Sequence, residues 1–173
     1  MSTHHRILRF VALFFGLALA TSCTDPVKDH AIERLGPEAQ GVPEGPEHRP
    51  GQPCVLCHSE GGPASKHKFA IGGTIFTTNT GETGAANVTV FFLDALLTPR
   101  QSTTNASGNF FVREEEWPDL TFPFKTGVLN GKTGVPMQST INREGSCNFC
   151  HQPRGGDSRE SIGPIFAPSG DGK

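Results

Sequence analysis

Two pentapeptides, Cys54-Val55-Leu56-Cys57-His58 and Cys147-Asn148-Phe149-Cys150-His151, constrain this chain more than any other feature, and apart from Cys23 they hold every cysteine in it. Each reads Cys-x-x-Cys-His, the spacing at which a polypeptide is welded to haem c: two thiols bond the porphyrin vinyl groups and the adjacent imidazole takes the iron. The spacing has a physical cause. Two intervening residues let one tight helical turn present both sulfurs along an edge of the macrocycle, and the next residue then falls beneath the metal. The expectation is therefore covalent attachment of two haems at Cys54, Cys57, Cys147 and Cys150, with His58 and His151 as proximal iron ligands.

The chain between the motifs has to be a fold that tolerates a cofactor on either flank. Its pattern is short strands broken by turns. Phe69 to Phe76 reads as a strand, Asn79 to Gly84 as turn chemistry, and Asn87 to Asp94 as the strongest strand, with Val88, Val90 and Phe92 on one face. Thr103 to Val112 is a turn leading into a third strand. Weaker strands are expected at Thr121 to Phe124 and Lys125 to Leu129, with Asn130-Gly131 turning the chain into Lys132 to Gln138. Gly 21 and Pro 14, with Phe 13 and no Tyr, favour such short elements over long helices. The fold class is mainly β: a small antiparallel β-sandwich flanked by loop-rich haem-binding segments with short helical turns.

Three stretches in this region, Gly73-Thr74-Ile75-Phe76, Val88-Thr89-Val90 and Thr104-Asn105-Ala106-Ser107-Gly108-Asn109-Phe110, resemble the carboxypeptidase-regulatory, transthyretin-like β-sandwich family over residues 69–135. In the last of them Gly108 supplies a conformation costly for a residue with a Cβ, and Phe110 re-enters the core. The resemblance implies a fold and hardly an activity, because such modules are appended to many unrelated proteins. A sandwich with a Cys-x-x-Cys-His motif on each flank also resembles exported dihaem c-type cytochrome lipoproteins of Gram-negative bacteria.

Residues 1–22 read as a secretory signal: His4, His5, Arg6 and Arg9 precede an apolar run from Phe10 to Ala20 that is short for a membrane span. The sequence Leu19-Ala20-Thr21-Ser22-Cys23 resembles a bacterial lipoprotein signal, which implies lipidation of Cys23 and anchoring to a membrane surface. Thr24 after the cysteine, rather than an acidic residue, implies the outer membrane; the location expected is the periplasm or that membrane. Residues 23–53 are rich in Pro and Gly and read as an extended tether, with at most a turn or two of helix at Val27 to Leu35. The remaining divisions are a first haem segment at 54–68, the sandwich at 69–135, and a second haem segment with its tail at 136–173. In that tail Ile162, Ile165 and Phe166 are candidates to cover a haem edge.

Opposite-face iron ligands have few sources. Met137 lies upstream of the second motif and His67 follows the first; these are the leading candidates, with His48 and His30 behind them. A thioether from Met137 at one iron and an imidazole from His67 at the other would leave the two centres at unequal potentials. Glu114-Glu115-Glu116 is expected to be solvated loop rather than a cation site. No nucleophile-base-acid set, phosphate loop or zinc-protease helix is present, so no enzymatic turnover is expected. A formal charge of −2 without a basic cluster argues against nucleic acid as a partner. The function expected is outer-sphere electron transfer to a redox partner protein or terminal acceptor. The alternative is a secreted β-sandwich binding module whose cysteine motifs are structural, holding zinc or disulfides.

Overall fold

The computed structural model describes residues 25–38, 41–153 and 161–170. The signal segment and Cys23 lie outside the described residues. Among the described residues seven strands form two sheets: β1 Phe69–Phe76, β2 Thr89–Leu93, β3 Pro99–Thr103, β4 Asn109–Arg113, β5 Lys125–Asn130, β6 Thr133–Pro136 and β7 Ile165–Phe166. One sheet runs β4-β1-β7 and the other β3-β2-β5-β6. All pairings are antiparallel except β1 with β7, where Ile75 and Phe76 lie alongside Ile165 and Phe166 in parallel. The chain is thus mainly β, a small sandwich with short helical turns, as its sequence pattern predicts.

Burying one face of each sheet makes the core. Ile71 and Ile75 of β1, Phe110 and Val112 of β4, Val90 and Phe92 of β2 and Val128 of β5 meet between the layers, joined by Val88, Trp117 and Phe124. Phe92 is the centre of an aromatic group, its ring 6.1 Å from Phe110, 6.4 Å from Trp117 and 6.2 Å from Phe124; such tilted and edge-on pairs add to their area burial. Val88, Val90 and Phe92 share the buried face that their alternation predicts. Gly108 has φ +78°, and a Cβ there would run into the Ile75 carbonyl. Asn105 closes that turn by accepting bonds from Ser107 and Asn109 main-chain N–H groups at 3.1 and 3.0 Å.

Four features differ from the sequence expectation. β3 is a polar, exposed edge strand whose place comes from pairing with β2 and not from any apolar pattern. Thr121 to Phe124 is no strand; only Phe124 bridges, to Ile141. Glu114–Glu116 forms a short 3-10 turn in which Glu116 Oε2 accepts the Arg113 N–H at 2.7 Å, and it delivers Trp117 into the core at 2% exposure. The fourth concerns the Pro-rich segment. Pro26–Arg34 is a nine-residue helix, α1, capped by the Asp25 side chain on the N–H groups of Val27 and Lys28, both at 3.1 Å. Beyond it the chain does not stand off as an extended tether. Residues 46–51 are tied to the sandwich by main-chain groups: Asn105 Nδ2 donates to the Pro46 carbonyl at 2.7 Å, Asn109 Nδ2 to the His48 carbonyl at 2.8 Å, and the Gly51 N–H to Thr74 Oγ1 at 2.8 Å. No helix among the described residues is long and apolar enough to cross a membrane.

Candidate functional site

β1 organises both cysteine motifs. Side chains of a strand alternate between its faces, and here both faces are covered. On the inner face Ile71, Gly73 and Ile75 turn to the core; on the outer, Gly72 and Thr74 turn to the segment around the first motif. Glycine is required at 72 and 73 by close approach. A Cβ on Gly72 would lie 3.0 Å from Cys54 Cβ, and one on Gly73 would lie 2.8 Å from Cys147 Cβ and 2.9 Å from Phe110 Cζ. The motifs are therefore neighbours on one strand. A second contact closes the same arrangement: Pro153, two residues past His151, packs where a Cβ on Gly51 would be, 2.8 Å from Pro153 Cγ.

Each motif is a single helical turn. Cys54–Cys57 is a one-turn helix, α2, and Cys147–Phe149 a 3-10 turn. In both, the histidine N–H donates to the carbonyl of the first cysteine, at 3.0 Å for His58 to Cys54 and 3.0 Å for His151 to Cys147. That bond is what folds the histidine back under the turn. The imidazoles are then fixed from behind in the same way. His58 Nδ1 lies 2.7 Å from the His67 carbonyl oxygen and His151 Nδ1 lies 3.1 Å from that of Gly163. A carbonyl only accepts, so each Nδ1 carries the proton and each Nε2 keeps its lone pair, the arrangement in which ligating histidines are held. Loss of solvent lowers both histidines below the usual imidazole value, against the opposing pull of those carbonyl bonds. Both are neutral at pH 7, the state a metal needs. His58 also stacks on Phe69 with ring centroids 4.0 Å apart, and Phe69 on Phe111 at 4.6 Å, so three flat rings brace one another.

The surroundings of the two motifs differ. Beside the first is a cleft of about 700 Å³ walled by α1, the Pro-rich segment, α2 and β4; Cys54, Cys57, His58, His48, Phe69 and Phe111 line it. Charges of both signs border it, Arg49, Lys66 and Arg113 with Glu38 and Glu44, and Arg49 is paired with Glu38 at 3.3 Å. Its volume is in the range of cofactor sites. The second motif is spread between core and surface. Cys147 belongs to the buried core, whereas Cys150 is exposed and Phe149 is 55% exposed. Ile162 and Phe166 are exposed beside it, and the Ile162 N–H donates to the Cys150 carbonyl at 3.1 Å.

Burial pushes the Cys54 and Cys147 thiols up to about 12 and raises Cys57 as well. The charged thiolate is what burial penalises, so these pockets favour sulfur in a neutral form. A thioether, which carries no charge, is such a form. Cys54, Cys57, Cys147 and Cys150 are free of disulfides, and among the described residues no group of three or more His, Cys, Asp or Glu gathers as metal ligands. The donor set at the first motif, two neutral sulfurs, an imidazole with a free Nε2 and an apolar cleft of cofactor size, fits a covalently held haem. At the second motif the imidazole and Cys150 fit the same group, while Cys147 is held under β1.

The other candidate ligands fall in different places. His67 gives its main-chain carbonyl to His58 Nδ1, and its own side chain is exposed at the border of the same cleft. Met137 follows β6 at the edge of the four-stranded sheet, its N–H bonded to the Thr126 carbonyl at 2.9 Å, whereas the second motif packs on β1 of the other sheet. His30 is on α1, exposed, 3.9 Å from Glu33. The residue that sequence reasoning placed low is His48, whose ring lies in the first cleft with its centroid 5.8 Å from that of His58. Nothing in its sequence neighbourhood, Glu47-His48-Arg49-Pro50, signals that position; folding of the Pro-rich segment against Asn105 and Asn109 creates it. Comparison with known protein families, curated proteins and solved structures finds no match.

Proposed function

We propose that this protein is an exported dihaem c-type cytochrome that carries electrons between redox partners. The observation that supports the reading beyond the motifs themselves is the matched setting of His58 and His151, each with Nδ1 on a main-chain carbonyl and Nε2 left free. When bound, haem c supplies an iron that cycles between two oxidation states by outer-sphere transfer, with no bond made to a substrate. The chain's own part is to hold and to shield. His58 and His151 offer Nε2, Cys54, Cys57 and Cys150 offer sulfur, as would Cys147 once released from beneath β1, and Phe69, Phe111 and the proline-rich wall line the first cleft. Lys66 at its border is a cation that would complement an acidic group of a porphyrin. Export, lipidation of Cys23 and a membrane-surface position in the periplasm or outer membrane belong to the same proposal, as does a protein or terminal electron acceptor as partner.

The test is haem per polypeptide, read by mass and by reduced-minus-oxidised absorbance in a host that matures c-type cytochromes. Two equivalents are expected in the wild type, with Cys57→Ala and Cys150→Ala each losing one. A colourless product of unaltered mass would overturn the electron-carrier reading and leave a secreted sandwich that binds a partner.

A further inference from the structure

We propose that His48 is the second axial ligand at the first motif, opposite His58. The inference rests on the haem reading above and goes further, since it assigns the sixth iron position to a residue of the Pro-rich segment and makes that segment part of the site.

The argument starts with spacing. Two imidazoles bound to one metal through nitrogens about 2 Å away, each centroid about 1 Å behind its nitrogen, have centroids ~6 Å apart. The His48 and His58 centroids are 5.8 Å apart, with the ring planes inclined at 63°, and both rings line the same cleft. The second argument is which nitrogen each ring has to offer. His58 Nδ1 is engaged by the His67 carbonyl, which leaves Nε2 for iron; His48 Nδ1 makes no hydrogen bond, but the Glu38 carboxylate, 2.9 Å away, occupies that side of the ring and leaves Nε2 as the nitrogen away from it.

The third argument is how firmly His48 is held. Its carbonyl takes 2.8 Å from Asn109 Nδ2, its N–H donates to the Gly45 carbonyl at 3.2 Å, and Asn109 Oδ1 in turn accepts from Thr74 Oγ1 at 2.8 Å. Thr74 is fully buried on β1, the strand that carries Cys54 on the same face. One network therefore fixes both walls of the cleft. Glu38 is itself held by Arg49 Nε at 3.3 Å, and the Arg49 guanidinium bonds the Gly36 carbonyl at 2.8 Å. Glu38 is thus a positioning residue, not a ligand. Of the competing candidates, His67 borders the same cleft with an exposed side chain and makes no ring contact with His58, and Met137 is on the other sheet.

The experiment uses the full chain matured with haem, wild type against His48→Ala, His48→Met and the control His67→Ala. The wild type is expected to be six-coordinate and low-spin at the first haem in both oxidation states and to bind carbon monoxide poorly there. His48→Ala should open that site, with high-spin ferric absorbance and carbon monoxide binding at one haem equivalent, while His67→Ala leaves the spin state unchanged. His48→Met keeps six ligands and guards against loss of folding in the alanine variant: one of the two potentials should rise, and the far-red band of thioether ligation should appear. Haem-loaded His48→Ala and His48→Met with wild-type spectra and potentials would overturn the assignment and leave the cytochrome reading intact. A wild type without haem would overturn both.

Discussion

The two cysteine motifs share a sequence pattern, a helical turn and a histidine pinned from behind, yet one opens on a walled cleft and the other is divided between core and surface. Around Cys54 the wall comes from outside the sandwich, from α1 and the Pro-rich segment. Around Cys147 it comes from the sandwich itself, because that cysteine sits among core residues under Gly73. The difference teaches that a motif fixes the chemistry available at its own atoms while the remote segments decide what kind of site it becomes. The first setting is walled by segments remote in sequence, whereas the second leaves Phe149 and the neighbouring Ile162 exposed.

The largest effect that would break this contrast comes from Gly73. Gly73→Val sets a Cβ and two methyls against Cys147 and Phe110, and about 3 kcal/mol of destabilisation is expected from overpacking. A urea midpoint equal to wild type would show that the second motif is not wedged under β1. A middle-sized effect is expected from Asn109→Ala, which removes the donors to the Pro46 and His48 carbonyls at 3.2 and 2.8 Å and strands the Thr74 hydroxyl. About 1–3 kcal/mol is expected, with faster amide exchange across residues 41–53 and unchanged exchange at residues 146–151. Equal acceleration at both motifs would dissolve the distinction between them.

The smallest effect is one the two regions share. His58 and His151 are both lowered by desolvation. As pH falls below about 6.5 the unfolded chain takes up protons that the folded chain refuses, so stability is fully present above that value and is lost as pH drops toward the folded values. Thermal melts of the haem-free chain should show this decline, and the double variant His58→Gln, His151→Gln should flatten it. A slope of the opposite sign would mean that the two imidazoles are held charged.

Much of the sandwich is legible from residues alone, and the reason is local. Phe69 to Phe76 and the alternation of Val88, Val90 and Phe92 carry their own burial pattern, and Asn105, Gly108 and Asn130-Gly131 carry their own turn chemistry. β3 is not legible, because Pro99 to Thr103 is polar and is held by its neighbour β2. The Pro-rich segment misleads for a related reason. Its prolines and glycines exclude regular strands, and from that an extended strap follows; but backbone carbonyls with no ladder to join are free to accept from Asn105 and Asn109. The proximal histidines announce themselves by spacing, whereas His48 reaches the cleft only through those long-range bonds. His67 and Met137 are near the motifs in sequence, yet the fold sends them apart, His67 to the border of the first cleft and Met137 to the end of β6 on the other sheet.

The parallel contact of β7 with β1 joins positions 75 and 165. Pairings of such long sequence separation carry a larger loop-closure cost than hairpins do. The strand on which both cysteine turns pack is therefore bounded on one side by a neighbour near in sequence, β4, and on the other by a remote two-residue strand whose docking has the greater entropy to overcome.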